Sequence, residues 1–263
     1  MNNVNKTLYI PLYGKAYVSQ KGLFLNDKKA EEIWASEGFS LKGKSKSKWL
    51  AYYMGIRAAV FDKWCHEKII ASRETVVLHI GCGLDSRAQR INAENCKWYD
   101  VDFPEVIQER RRYYSETSHY QMIVGDARDG SFLEQIPEKA HAIVIMEGVS
   151  MYLKEAELKA FFDAISSHFA QVDLLMDSYS VFAAKMSKYK NPVNDVGVSQ
   201  VYGMDDPMIL SKNAKNGLSF VQQHDITPQV FIDQLSGLEK RIFRKLYAGK
   251  TAQKLYKLWE YKK

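Results

Sequence analysis

Residues 76–87, Val-Val-Leu-His-Ile-Gly-Cys-Gly-Leu-Asp-Ser-Arg, constrain the fold more than any other stretch of the chain. Val76 to Ile80 are apolar apart from His79, which suits a central parallel strand. Gly81 and Gly83 have no Cβ, so the backbone can turn sharply there and a ligand can lie against it. A helix starting next offers unpaired N–H groups. Together these features predict a nucleotide-type pocket at the carboxyl end of a first strand.

The same rhythm repeats downstream. Strands are predicted at Lys97–Val101, Tyr120–Val124, Ala142–Met146 and Val172–Met176, with helices over Ser86–Ala93, Val106–Tyr114 and Lys154–Phe169 between them. Pro104 suits the first turn of its helix. This alternation implies an α/β fold with a doubly wound, mostly parallel sheet. Upstream, Leu8–Tyr17 contains Pro11 and Gly14 and reads as irregular. Asp27 is a cap for a helix holding Ala30, Ile33 and Trp34. Ser36–Lys48 reads as a loop. Trp49–Ile70 carries apolar residues at helical spacing and reads as one long helix. After Asp177 the regularity stops, and Tyr179–Asn216 reads as an inserted lid. A sixth strand is expected at Ser219–His224, helices at Pro228–Leu235 and Phe243–Lys254, and a last strand at Leu255–Tyr261. In domain terms, residues 1–70 form an N-terminal helical cap of the same domain. Residues 71–263 form the core, with the lid at about 179–216.

Composition narrows the class. Hydrophobic residues make up 46% of the 263, enough for a substantial core. The formal charge of +6 permits an acidic partner, but the lysines are scattered and no arginine-aromatic array reads bases. No nucleic-acid partner is therefore expected. The three cysteines, Cys65, Cys82 and Cys96, form no C-x-x-C, which argues against a metal cage and for a reducing compartment. The polar N-terminus carries no apolar leader, and no apolar run is long enough to span a bilayer. A soluble cytoplasmic protein is the expectation.

Acidic residues at the strand ends point to the ligand. Asp102, Asp126 and Glu147 stand after strands two, three and four, at the sheet edge where ligands bind. An acid after strand two can accept from both hydroxyls of an adenosine ribose, and one after strand three from the adenine amine. The turn lacks the third glycine of a dinucleotide site and the Lys-Ser of a P-loop. A ligand with adenosine, a cationic centre and no phosphate fits, and S-adenosylmethionine has those features. Taken singly, each acid could instead cap a following helix.

These residues carry a resemblance. Gly-Cys-Gly-Leu-Asp-Ser-Arg at 81–87, Tyr-Asp-Val-Asp-Phe-Pro at 99–104, Gly-Asp-Ala-Arg-Asp at 125–129 and Glu-Gly-Val-Ser-Met-Tyr-Leu at 147–153 resemble the leucine carboxyl methyltransferase family. So do residues 8–16 and Gly55-Ile56-Arg57. Within the family, the chain resembles the branch of bacterial polyketide carboxyl methyltransferases. The resemblance implies a class I, Rossmann-like methyltransferase fold and a role for each position. Gly81 and Gly83 would lie against the methionine part of the cofactor. Asp102 would bind the ribose, with Asp100 as its rival. Asp126 and the Ala127 backbone would hold the adenine. Glu147 would contact the amino group, and Arg57 and Lys15 the carboxylate; a surface position is the plain alternative for Lys15. Asp85 and Arg87 would lock the turn. No acceptor-recognition motif of the family matches between Tyr179 and Asn216.

The implied reaction is O-methylation of a small-molecule carboxylate. Such an acceptor is ionised near neutral pH and requires no general base. Tyr152 is the candidate for orienting it. A phenol or alcohol acceptor would want a base, and His224 is available; His79 reads as a satisfied core residue. Three other readings fit less of the sequence: an RNA- or DNA-directed methyltransferase, a module that binds the cofactor without turnover, and a nicotinamide oxidoreductase.

Overall fold

The computed structural model describes residues 8–263 except 37, 39–40, 42, 73, 92, 94–95, 191–199 and 212–216. Its strands are β1 (Thr75–Ile80), β2 (Lys97–Asp102), β3 (Tyr120–Val124), β4 (His141–Met146), β5 (Gln171–Tyr179), β6 (Ser219–His224) and β7 (Tyr256–Lys262). They form one sheet in the order β3-β2-β1-β4-β5-β7-β6. β1 to β5 pair in parallel, while β7 runs antiparallel to both β5 and β6. The expected doubly wound sheet is therefore present. Strand order reverses at β1, which leaves a crevice at its carboxyl end.

The helices are α1 (Tyr9–Gln20), α2 (Lys28–Ser36), α3 (Lys48–Ala71), α4 (Arg87–Arg90), α5 (Pro104–Arg110), α6 (Glu155–His168), α7 (Val181–Lys190), α8 (Gln229–Ile232), α9 (Gly237–Tyr247) and α10 (Lys250–Leu255). A strand buried on both faces can serve two cores, and β1 does so. Val76, Leu78 and Ile80 pack with Val144, Met146 and the α6 residues Phe161 and Ile165. Val77 packs with Ile143, Ile145 and the α3 residues Ile56, Phe61 and Trp64. From Gly55 to Phe61, α3 is buried all round, because α1 crosses its other side. A Cβ at Gly55 would sit 2.7 Å from Val18 Cγ2. No helix among the described residues is long and apolar enough to cross a membrane.

Several elements differ from the sequence reading. Leu8–Tyr17 is not irregular but largely α1. Pro11 falls in its first turn, where no N–H partner is lost, and Gly14 admits the Met54 side chain, whose Cβ would lie 2.8 Å from an added one. The helix expected over Ser86–Ala93 is the single turn α4, whose Arg87 and Arg90 reach into buried carboxylates. β5 continues through Asp177 to Tyr179 because β7 pairs along its whole length. Within the segment expected to be a lid, Val181–Lys190 is helical and Pro207–Leu210 forms a 3-10 turn. Residues 191–199 and 212–216 of that segment lie outside the described residues. The helix expected over Phe243–Lys254 breaks at Ala248 and Gly249 into α9 and α10.

Candidate active site

A cavity of about 660 Å³ opens at the carboxyl ends of β1, β2 and β4. That is the size range of small-molecule sites. Lys15, Arg57, Gly81, Gly83, Asp102, Asp126, Ala127, Glu147 and Tyr152 all line it. The glycine turn holds the position its sequence demands. Gly81 and Gly83 have φ of +64° and +53°, and the Gly81 and Cys82 N–H groups donate to Val101 O at 2.8 and 3.3 Å. A Cβ at Gly81 would come within 2.4 Å of Val149 Cγ2, so the glycine there also admits the loop after β4.

The two acids of β2 have opposite surroundings. Asp100 is wholly buried behind the cavity wall. It accepts from Trp98 Nε1 (2.8 Å), Tyr120 Oη (2.6 Å) and Arg110. Burial favours its neutral form, but Arg110 outweighs that and holds the carboxyl at about 2. His79 is satisfied beside it: Nε2 accepts from Arg87 Nη1 at 3.1 Å, so Nδ1 carries the proton and donates to Asp100 Oδ1 at 3.2 Å. Asp102 faces the cavity. Gly83 N and Phe103 N each donate to one of its oxygens at 2.8 Å. No cation among the described residues pairs with it. Burial pushes its carboxyl up to about 6 against those two N–H groups.

Beneath the cavity lies a bed of ion pairs. Lys15 is buried rather than a surface lysine, with Nζ 2.8 Å from Asp85 Oδ2. Asp85 also meets Arg90 at 3.0 Å and Arg87 at 3.4 Å, as the expected lock of the turn requires. Arg87 continues to Asp62 at 2.7 Å and to Glu147. Glu147 is thus clamped between Arg87 and Arg57, whose Nε donates to Oε1 at 2.9 Å. Burial opposes its ionisation, yet the two arginines hold its carboxyl at about 2.

The model of the leucine carboxyl methyltransferase family matches residues 6–166. The chain belongs to that family. It is accordingly a methyltransferase, with S-adenosylmethionine as its cofactor. Among curated relatives, the tetracenomycin polyketide synthesis O-methyltransferase TcmP of Streptomyces glaucescens is 27% identical over 242 residues, 91% of this chain and 89% of TcmP. The S-adenosyl-L-methionine-dependent methyltransferase dpfgK of Gibberella zeae is 24% identical over 79% of this chain and 77% of its own. The magnesium protoporphyrin IX methyltransferase ChlM of Synechocystis PCC 6803, solved with bound SAH, superposes with a TM-score of 0.53 at 13% identity, covering 95% of this chain and 97% of ChlM. That likeness concerns the class I methyltransferase fold alone.

The residues present fit the family's cofactor. A buried carboxylate without a cation, Asp102, looks into the cavity beside two glycines in left-handed conformation. A bed of paired charges that includes Lys15 and Arg57 lies at the β1 and β4 ends, suited to a zwitterionic amino-acid tail. Asp126 departs from the simple expectation. Arg128 donates to Oδ1 from its backbone N at 2.9 Å and from Nε at 3.0 Å, and to Oδ2 from Nε at 2.8 Å and from Nη2. Its acceptor capacity is filled until that side chain swings away.

Sequence reasoning missed one wall. Tyr53, Tyr179, Tyr247 and Tyr256 line the cavity with Tyr152, which is about one-third exposed at its mouth. Ring centroids lie 5.0 Å apart for Tyr179–Tyr256, 6.0 Å for Tyr53–Tyr256 and 6.2 Å for Tyr53–Tyr247. The only signal for this cluster was that tyrosine is frequent, 16 in the chain. His224 drops out as a base. It sits at the end of β6 against Glu260 Oε2 of β7 at 2.6 Å and does not line this cavity.

Proposed function

We propose that this methyltransferase forms a methyl ester on the carboxylate of a small, flat, polyketide-like acid. One observation carries the reading. Among the described residues lining the cavity, no base is free at the tyrosine end. His79 is bonded through both nitrogens, Asp85 and Glu147 are held by arginines and a lysine, and Asp102 and Asp126 stand at the β2 and β3 ends. An acceptor that must first lose a proton has nothing there to take it. A carboxylic acid, with a pKa near 4, arrives already ionised. The aromatic wall favours a planar substrate through edge and face contacts. The likeness to TcmP, named for polyketide O-methylation, supports the same class.

The chain's own groups bind and orient. Asp102 would accept from the ribose hydroxyls. Asp126 and Ala127 would hold the adenine once Arg128 yields. Glu147 would receive the amino group, and Arg57 with Lys15 the carboxylate. When bound, S-adenosylmethionine supplies an electrophilic methyl group, whose transfer to an oxygen anion moves no proton. Tyr152, at the mouth, would orient that anion, and the tyrosine wall would exclude water, which raises the reactivity of a bare carboxylate.

The test is methyl transfer from labelled cofactor to a panel of aromatic acids and phenols. Product label released as volatile methanol by mild alkali identifies an ester. Alkali-stable label on a phenol would replace this reading with ether formation. Cofactor binding without turnover across the panel would leave a binding module.

A further inference from the structure

The structure assigns Tyr256 as a positioning residue that fixes the orientation of Arg57 in the cavity wall. This assignment rests on the cofactor reading given above for Arg57. A guanidinium is planar, with five N–H donors in a rigid fork, so two anchors determine where the remaining edge points. Arg57 has two. Its Nε donates to Glu147 Oε1 at 2.9 Å, and its Nη1 donates to the Tyr256 hydroxyl at 2.9 Å. Tyr256 in turn donates to Asp177 Oδ2 at 2.6 Å, and Asp177 Oδ1 accepts from Gly148 N at 2.7 Å. Gly148 follows Glu147, so the chain of bonds closes into a ring: Glu147, Arg57, Tyr256, Asp177 and back to the loop after β4.

Among the described residues, nothing anchors Nη2. It lies beside Gly148, where an added Cβ would be 3.3 Å away, and both residues line the cavity. Held in a known direction, the Nη2 N–H groups can donate to an oxygen of a ligand carboxylate, a charge-assisted bond. The phenol is needed for this because it does two jobs at once: it accepts from arginine and donates to a buried carboxylate. Phenylalanine at this site would keep the ring contacts with Tyr53 and Tyr179 and lose both bonds. Arg57 could then rotate about its Nε contact, and its Nη1 would swing towards Asp177, which already lies 3.3 Å away.

The experiment compares two ligands on two proteins by calorimetry. S-adenosylhomocysteine carries the amino-acid carboxylate; 5′-methylthioadenosine has the same nucleoside and lacks it. With Tyr256→Phe, affinity for S-adenosylhomocysteine is expected to fall about tenfold, and affinity for methylthioadenosine to stay within about twofold. Equal losses for both ligands, or no loss for either, would overturn the assignment, since a purely structural role moves both together. Wild-type protein that binds neither ligand would overturn the cofactor reading itself. If Tyr256→Phe fails to fold, Tyr256→Met, of similar length and without a hydroxyl, repeats the comparison.

Discussion

The two ends of the cavity are built in different ways. The cofactor end is assembled from the loops that follow β1, β2, β3 and β4, with Lys15 from α1 and Arg57 from α3, all within the span matched by the family model. Its groups are charged, and their states are set by neighbours. The tyrosine end is gathered from α3, the end of β5, α9 and the start of β7, elements scattered along the chain. Its groups are neutral phenols. In the proposed function, one end serves a single ligand and its charges, and the other offers shape and an aromatic wall. Asp100 and Asp102 sharpen the lesson within one strand. Two residues apart on β2, one is held near 2 by Arg110 and the other is raised to about 6 by burial without a cation. The first braces the turn through Arg110, and the second faces the cavity, where the proposed function puts the ribose.

If the ends divide the work in this way, substitutions should separate them. The largest effect is expected from Asp102→Ala. Loss of two hydrogen bonds to a charged acceptor, at about 1.5–3 kcal/mol each, should weaken S-adenosylhomocysteine at least about 100-fold with the fold kept. Calorimetry alongside circular dichroism checks this; unchanged affinity would remove the ribose assignment. Next comes pH. Asp102 is ionised above about 6 and neutral below, so affinity should fall as pH drops through 6, to about tenfold weaker at pH 5 than at pH 7.5. Asp102→Asn should flatten that profile. At the other end, Tyr152→Phe should raise the acceptor KM about tenfold, the low end for one hydrogen bond to a charged acceptor at a part-exposed mouth, and leave cofactor affinity alone. A change in cofactor affinity instead would blur the division. The smallest effect is expected at Arg128. Its pair with Asp126 is half exposed and contributes about 0–1 kcal/mol, so Arg128→Ala should tighten S-adenosylhomocysteine by up to about fivefold. Weaker binding would mean that Arg128 holds the ligand rather than competing with it.

Much of the cofactor end was legible because its signals are local. A glycine turn after an apolar strand and an acid at each strand end fall within a few residues of each other, and the parallel topology does the gathering. What failed had non-local causes. Pro11 and Gly14 read as breakers, but one falls in a first turn and the other makes room for Met54. Lys15 could equally be a surface residue until α1 was seen to pack over Asp85. Tyr53 and Tyr256 touch across most of the chain, and no spacing rule links them. His224 stood out by residue type alone, and its partner Glu260 faces away from the cavity.

The antiparallel insertion of β7 between β5 and β6 has a consequence for biogenesis. On the ribosome, the glycine turn and the acids after β1 to β4 emerge long before Tyr256. A nascent chain could therefore assemble the loops after β1 to β4 while Arg57 lacks its Tyr256 anchor and the β5 edge stays open. Under the proposed roles, the grip on the amino-acid tail would be complete only once β7, made after the other six strands, lies between β5 and β6.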